Sequence, residues 1–354
     1  MRTPRSFRPE FAPRPKGLPN QRFELCFQQL LRVMAQLTYY GPMNRYLKAG
    51  GHILVPTDFT EHARRAFEAA IRMARMLDAK LTILHVNEEE AFFAWHDSGR
   101  IGHLLTEIAP KRAQWMEDLE AEARDCGIEA QSMSRDGVAS GTILVVADEL
   151  DASIIVMGTK GVRGMRHILT GSTARNVLRG SHRPVLTVSA NAQVDPPEDG
   201  GVFKHVLYPT DFSEASQNGL GILEGLLSRE EQHLTLLHVL RLPTMLPSLP
   251  GEPLVVLPSG TDADLEVILR DQLQTAASRV KALQVDTQVE LHASVAESII
   301  EVAERGSVDL IVIPRHSQHT WRSFFFGHTA ESLTKTSPVP VLVFEPMVGE
   351  EEEI

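Results

Sequence analysis

Ile154-Ile-Val-Met-Gly-Thr-Lys-Gly-Val-Arg-Gly-Met-Arg-His-Ile-Leu-Thr-Gly-Ser172 begins with four apolar residues and closes on a residue that favours the start of a helix. The run Ile154–Met157 reads as a buried strand. Behind it stands the spacing Gly158-x2-Gly161-x9-Gly171-Ser172. Glycines just past a strand let backbone N–H groups approach a ligand without a Cβ in the way. A helix opening near Ser172 would present further unsatisfied N–H groups, which favour phosphate. Between Gly158 and Arg183 lie Lys160, Arg163, Arg166, Arg175, Arg179 and Arg183 with no acidic residue, in a chain of net charge -11. That local positive field suits a polyanion. The segment is neither a Walker loop nor the Gly-x-Gly-x-x-Gly dinucleotide pattern. It reads as a phosphate cradle, against the plainer alternative of a strand-to-helix turn that binds nothing.

The rest of the chain repeats itself. Ile53-Leu-Val-Pro-Thr-Asp-Phe-Thr-Glu61 returns as Val206-Leu-Tyr-Pro-Thr-Asp-Phe-Ser-Glu214, and Leu81–Val86 returns as Leu234–Val239, both at an offset of 153 residues. Ile154–Met157 matches Leu310–Ile313, and Arg183–Val188 matches Val339–Phe344, at an offset of 156. A period of this size is one domain rather than a solenoid unit, so the fold occurs twice. In the first copy, short apolar runs at 52–56, 81–86, 128–133, 153–157 and 184–188 alternate with helical patterns. One helix has Thr60 as N-cap and the apolar stripe Ala63, Ala66, Phe67, Ala70, Ile71, Ala74 and Leu77; others fall within 101–126, 141–149 and 172–179. This alternation predicts an α/β fold, two doubly wound five-stranded parallel sheets in tandem. Ligands of such sheets sit beyond the carboxyl ends of the strands. Asp58, Val86 and Gly158 would share that edge.

Val55-Pro-Thr-Asp58, Leu84-His-Val86, the glycine spacing and Pro184-Val-Leu186 resemble the universal stress protein family in its tandem two-domain form, with the glycine spacing of its ATP-binding branch. The resemblance implies strand order 3-2-1-4-5 and an adenine nucleotide, ATP, with Mg2+ or Mn2+ bridging its phosphates. It would put Asp58 on the ribose, the Val86 backbone against adenine, and Gly158 close to the sugar. Gly161, Gly171, Ser172 and Thr173 would hold the phosphates, and Pro56, Thr57, Met157 and Arg163 complete the implied set. The residue chemistry agrees, since a carboxylate accepts hydroxyl hydrogen bonds but repels a triphosphate. Asp58 could instead cap the following helix, but Thr60 can take that task and free it. Ser172 is expected to be an N-cap whose neighbouring amides face phosphate.

At the aligned positions the second copy reads Pro314-x2-Ser317-x9-Gly327-His328. Proline has no N–H, Ser317 restores a Cβ, and His328 stands in place of the capping serine. The loop from Arg315 through Trp321 and Phe324–Phe326 is bulky. Asp211 and Val239 persist, so the second copy is expected to be a degenerate site. His316, His319 and His328 lack cysteine or carboxylate partners and make no zinc set. His85 and His238 occupy one repeat position and belong to the fold. No nucleophile elbow or zincin helix is present, and Cys26 and Cys126 lack a catalytic setting. No catalytic residue is assigned, and any ATPase or autophosphorylation would be slow.

Two cysteines give no disulfide framework and fit a reducing cytoplasm. No run of 18 apolar residues exists, so no membrane span is expected. The overall acidity argues against nucleic acid. Residues 1–50 carry nine Lys/Arg against two Glu, a local +7 that leaves the remainder near -18 by subtraction. With five prolines in its first 20 residues this reads as a basic disordered extension, with a short amphipathic helix possible at 23–38 and Met43 a candidate start. The expected domains are 51–190, binding ATP, and 202–346, degenerate, joined by the linker 191–201 and followed by an acidic tail, 347–354. Leu242–Asp262, with five prolines, is expected to act as a lid or partner-binding loop. The final strands, 184–188 and 340–344, should pair across a pseudo-twofold axis as an intramolecular pseudo-dimer; a homodimer is a further possibility. The functional expectation is an ATP-dependent stress sensor acting through regulatory protein partners. The alternatives are a slow nucleotide hydrolase or adenylyl-transfer enzyme, and a structural adaptor without nucleotide. Pro56–Phe59 offers no Ser-Gly-Gly pyrophosphate loop, which weighs against adenylyl transfer.

Overall fold

The computed structural model describes residues 47, 49–88, 99–159, 171–194, 201–227, 232–241, 262–280, 284–315 and 327–346. Several sequence expectations therefore lie outside the described residues: the basic extension, Gly161, Arg163, Ser317, the aromatic loop after Arg315, most of Leu242–Asp262 and the acidic tail.

In the first copy β1 (His52–Thr57), β2 (Lys80–Asn87), β3 (Ala130–Asp136), β4 (Ile154–Gly158) and β5 (Val185–Val188) alternate with α1 (Glu61–Leu77), α2 (Gly99–Asp125), α3 (Ala139–Glu149) and α4 (Ser172–Gly180). The second copy has β6 (His205–Pro209), α5 (Glu214–Asn218), α6 (Gly221–Leu226), β7 (His233–Arg241), α7 (Asp262–Ala277), β8 (Gln284–His292), α8 (Val295–Arg305), β9 (Leu310–Pro314), α9 (His328–Thr336) and β10 (Val341–Phe344). The ten strands form one sheet in the order β3-β2-β1-β4-β5-β10-β9-β6-β7-β8. Each half is parallel in the order 3-2-1-4-5. At the centre β5 and β10 run antiparallel, with Leu186 opposite Leu342. Ser189 Oγ donates to the Ser337 carbonyl at 2.6 Å and Gln193 N to the Pro338 carbonyl at 2.8 Å across the same seam.

Strands buried on both faces read as continuous apolar runs, and β4, β5, β9 and β10 are of that kind. One core lies under α1, α2 and the second copy's α6 and α7, the other under α3, α4, α8 and α9. Each core contains residues of both copies, so the seam is a packed interior. Helix α1 begins as its sequence dictates: Thr60 is the N-cap, its Oγ1 accepting from Ala63 N at 3.3 Å, and Ala63, Ala66, Phe67, Ala70, Ile71, Ala74 and Leu77 are buried.

Two local expectations differ. Strand β3 starts at Ala130 rather than 128, because Gly127 turns with φ 79° and Ile128 is buried before the strand begins. The counterpart of α1 is broken into α5 and α6. Tyr208, where the first copy has Val55, is fully buried, and its hydroxyl donates to the Ser216 carbonyl at 2.7 Å. That carbonyl would otherwise accept from Leu220 N, which bonds to Gln217 O at 3.3 Å instead. A Cβ on Gly219 would lie 2.3 Å from the Tyr208 hydroxyl and 2.8 Å from the Phe344 ring. The larger residues at 208 and 344 are accommodated by a glycine and a helix break.

Candidate functional site

The strand order places β1 between β2 and β4, so the carboxyl ends of these three strands are neighbours. Pro56 and Thr57 end β1 and pair with Leu84 and His85; Val86 lies one residue beyond them on β2. Met157 and Gly158 end β4. Gly171, Ser172 and Thr173 form the start of α4, and the Gly171 N–H donates to the Thr159 carbonyl at 2.6 Å. Thr159 and Gly171, which bracket residues 160–170, are thus joined. Every described residue of the expected nucleotide set sits at this one edge.

The turn after β1 is the same in both copies. Phe59 and Phe212 have φ near 60°, a left-handed conformation that costs a residue with a Cβ. Thr57 Oγ1 accepts from Phe59 N at 3.1 Å, and Thr210 Oγ1 accepts from Phe212 N at the same distance. Asp58 Oδ1 accepts from Thr60 N at 3.2 Å and Thr60 Oγ1 at 2.6 Å, while Asp211 Oδ1 accepts from Ser213 N at 3.0 Å. This corrects one expectation: Thr60 caps α1, yet that does not release Asp58, one of whose oxygens orients the capping residue. His85 and His238 repeat a further contact, each Nδ1–H donating to the carbonyl of Thr57 or Thr210 at 2.9 Å. A carbonyl only accepts, so Nδ1 carries the proton in both. The His85 ring lies tilted against Phe59 and the His238 ring stacks on Phe212, with centroids 4.7 and 4.5 Å apart.

At α4 the cap also differs from expectation. Gly171 is the N-cap and makes no side-chain bond; Ser172 is already the first helical residue. In the second copy Gly327 and His328 have the same places, so His328 does not replace a capping side chain. Because its N–H is spent on Thr159, Gly171 contributes shape rather than a donor. The amides of Ser172 and Thr173 lie in the first turn, where no carbonyl of the same helix can reach them.

Gly158 is demanded by packing. A Cβ there would meet the His62 carbonyl oxygen at 2.8 Å, in the first turn of α1. Proline holds the matching position, 314, and Ala215, in the first turn of α5, holds that of His62. The buried side-chain atoms without a hydrogen-bond partner among the described residues include Thr159 Oγ1 and Arg175 Nε, on either side of the loop, and His62 Nδ1 in the first turn of α1.

Some contacts around the site carried no sequence signal. Glu88 accepts from Ala139 N at 2.8 Å and so caps α3, whose N-cap residue Val138 cannot. Arg112 of α2 donates to Asn87 Oδ1 at 3.3 Å, and Asn87 Nδ2 to Asp136 at 3.0 Å, bracing the end of β2. Trp115, 46% exposed, meets Phe59 in a tilted contact with ring centroids 5.2 Å apart. An open, polar cavity of about 540 Å³ lies at the other end of the first half-sheet, lined by Arg75, Asp78, Lys80 and Glu129 among others, and contains none of the expected nucleotide residues. No group of three or more metal-ligating side chains occurs among the described residues, and no helix among them is long and apolar enough to cross a membrane.

A doubly wound domain of order 3-2-1-4-5, duplicated and joined edge to edge through its fifth strands, defines the class. The chain belongs to the universal stress protein family, whose profile matches residues 51–189 and 203–345. It is similar to a universal stress protein of Methanocaldococcus jannaschii, 29% identical over 161 residues that cover 44% of this chain and 94% of the relative. A Mycolicibacterium smegmatis universal stress protein is 23% identical over 307 residues, 83% of this chain and 97% of that one. The crystal structure of a universal stress protein from Archaeoglobus fulgidus superposes with a TM-score of 0.62 at 20% identity, over 84% of this chain and 99% of that chain. That likeness extends across both halves.

Proposed function

We propose that the first domain binds ATP and that the protein acts as a nucleotide-dependent regulator of stress responses, with the second domain silent toward nucleotide. One observation carries the reading: the Asp58 carboxylate, the β2 end at Val86, the β4 end at Gly158 and the first turn of α4 meet at one sheet edge. Their donor chemistry fits the ligand. The Asp58 carboxylate suits ribose hydroxyls, and the amides of Ser172 and Thr173, with Gly161, Arg163 and the cationic segment around them, suit phosphates. The Val86 backbone is available to the base, and Pro56, Thr57 and Met157 wall the site. Mg2+ or Mn2+ would accompany the phosphates and offset their charge. The second site keeps Asp211 but ends β9 on Pro314, which offers no N–H.

We read the protein as a binder rather than an enzyme, because its sequence carries neither a nucleophile elbow nor a zincin helix. Regulation then requires partners that prefer one nucleotide state. Calorimetric titration with Mg-ATP tests the binding step. Saturable binding that is lost in Asp58→Ala supports it; no heat with wild type, or undiminished affinity in the variant, contradicts it.

A further inference from the structure

We propose that the second domain positions the phosphate-binding helix of the first through Arg315. This rests on the ATP reading and extends it to a residue outside the nucleotide set. Helix α4 has nine residues, and its last carbonyls need partners from elsewhere. Ser181 N takes the Val177 carbonyl at 2.8 Å. The next carbonyl, of Leu178, accepts from Arg315 Nη1 at 2.8 Å, and Arg315 comes from the other domain, just after β9. Its guanidinium is held from behind by Glu345, 2.5 Å from Nη2, and its backbone N–H by the Phe344 carbonyl at 2.7 Å. The side chain is 16% exposed, so the contact belongs to the seam rather than to open surface. A cation at a helix C-terminus complements the negative end of its dipole.

The arginine has no counterpart in the first domain. Position 315 aligns with Thr159, whose short, fully buried side chain cannot return the reach and whose Oγ1 has no partner among the described residues. Position 178 aligns with Thr334, whose hydroxyl turns back to the Glu331 carbonyl at 3.0 Å. The second domain therefore grips α4 with a guanidinium on the Leu178 carbonyl, whereas the first reaches the C-cap of α9 with the Ser189 hydroxyl, on the Ser337 carbonyl at 2.6 Å. Helix α4 is then fastened at both ends, by Gly171 N on the Thr159 carbonyl and by Arg315 on the Leu178 carbonyl. Since a short helix moves as a unit, releasing one end misplaces the amides at the other. In this account the domain that lost its cradle became the brace for the one that kept it, with Arg315 as a positioning residue.

The test compares ATP and adenosine affinities in the full-length chain for wild type, Arg315→Met and Arg315→Lys. Misplaced phosphate amides should weaken ATP roughly three- to tenfold in Arg315→Met while adenosine is unchanged, with Arg315→Lys recovering part of the loss, the scale expected for a partly buried cation at a helix end. Equal ATP affinity in wild type and Arg315→Met, or a parallel loss for both ligands, would overturn the positioning role and leave the ATP reading standing. No ATP binding by wild type would remove both.

Discussion

Arg72, in the first domain, lies 3.0 Å from the Asp309 carboxylate in the second and is 5% exposed. The same guanidinium donates to the Val202 carbonyl at 2.9 Å and lies 4.7 Å above the Phe203 ring. Burial pushes the Asp309 carboxyl above its ordinary value, against the lowering effect of the Lys204 N–H, of Arg72 and of the His205 N–H. Removing one partner of a buried pair leaves the other uncompensated. Arg72→Met should therefore lower the unfolding free energy by about 3 kcal/mol, read by denaturant titration. A change below about 1 kcal/mol, the surface-pair value, would show that the seam does not depend on this pair.

Stability should fall on mild acidification. Burial lowers the affinity of His52 and His205 for protons, an effect that Lys80 adds to at His52 and stacked His233 at His205. The unfolded chain binds those protons near pH 6.5, so stability is complete above that pH and declines as pH falls through 6.5 toward the depressed folded values. Asp309, with a raised value, has the opposite sign: its contribution is present below 3.8 and lost as pH rises through the raised folded value. Unfolding midpoints at pH 7.5 and 5.5 should differ, and the difference should shrink in a His52→Gln, His205→Gln double variant. An unchanged difference would assign the effect to other groups.

Gly219→Ala should destabilise by about 2 kcal/mol, since the new Cβ lies 2.3 Å from the Tyr208 hydroxyl. In a Tyr208→Phe background that cost should be smaller, because the nearest clashing atom is gone. A double-mutant cycle by chemical denaturation measures the coupling; additive effects would mean that the break between α5 and α6 has another cause.

At Gly158 the obstacle is backbone rather than a flexible side chain. Gly158→Ala must push the first turn of α1 away from the end of β4, costing about 1–3 kcal/mol. Because Asp58 and Thr60 lie in the turn that opens this helix, the same variant should weaken ATP binding. Full stability, followed by thermal melting, would contradict the packing role.

The fold was legible because the repeat supplies two samples of one pattern. Val55-Pro-Thr-Asp58 and Tyr208-Pro-Thr-Asp211 fall at the same strand end, and the apolar stripe from Ala63 to Leu77 is a helix wherever it is placed. The expected nucleotide residues could be brought to one edge from strand order alone. What escaped depends on partners distant in sequence. Val55 and Tyr208 look equivalent until the helix above them is known, so the break at Gly219 had no local sign. Arg315 reads as part of a degraded loop; its role depends on the Leu178 carbonyl, 137 residues away. The N-cap of α4 was misplaced by one residue because serine is the better capping side chain, whereas here the closing bond to Thr159 sets the turn and selects Gly171.

The central claim, one nucleotide-binding domain and one silent one, is tested most directly by native mass spectrometry of the full-length chain with Mg-ATP. The account predicts one ATP per chain, abolished by Gly161→Val combined with Gly171→Val and retained in Asp211→Ala. Two ATP per chain, or one that disappears with Asp211→Ala, would contradict it.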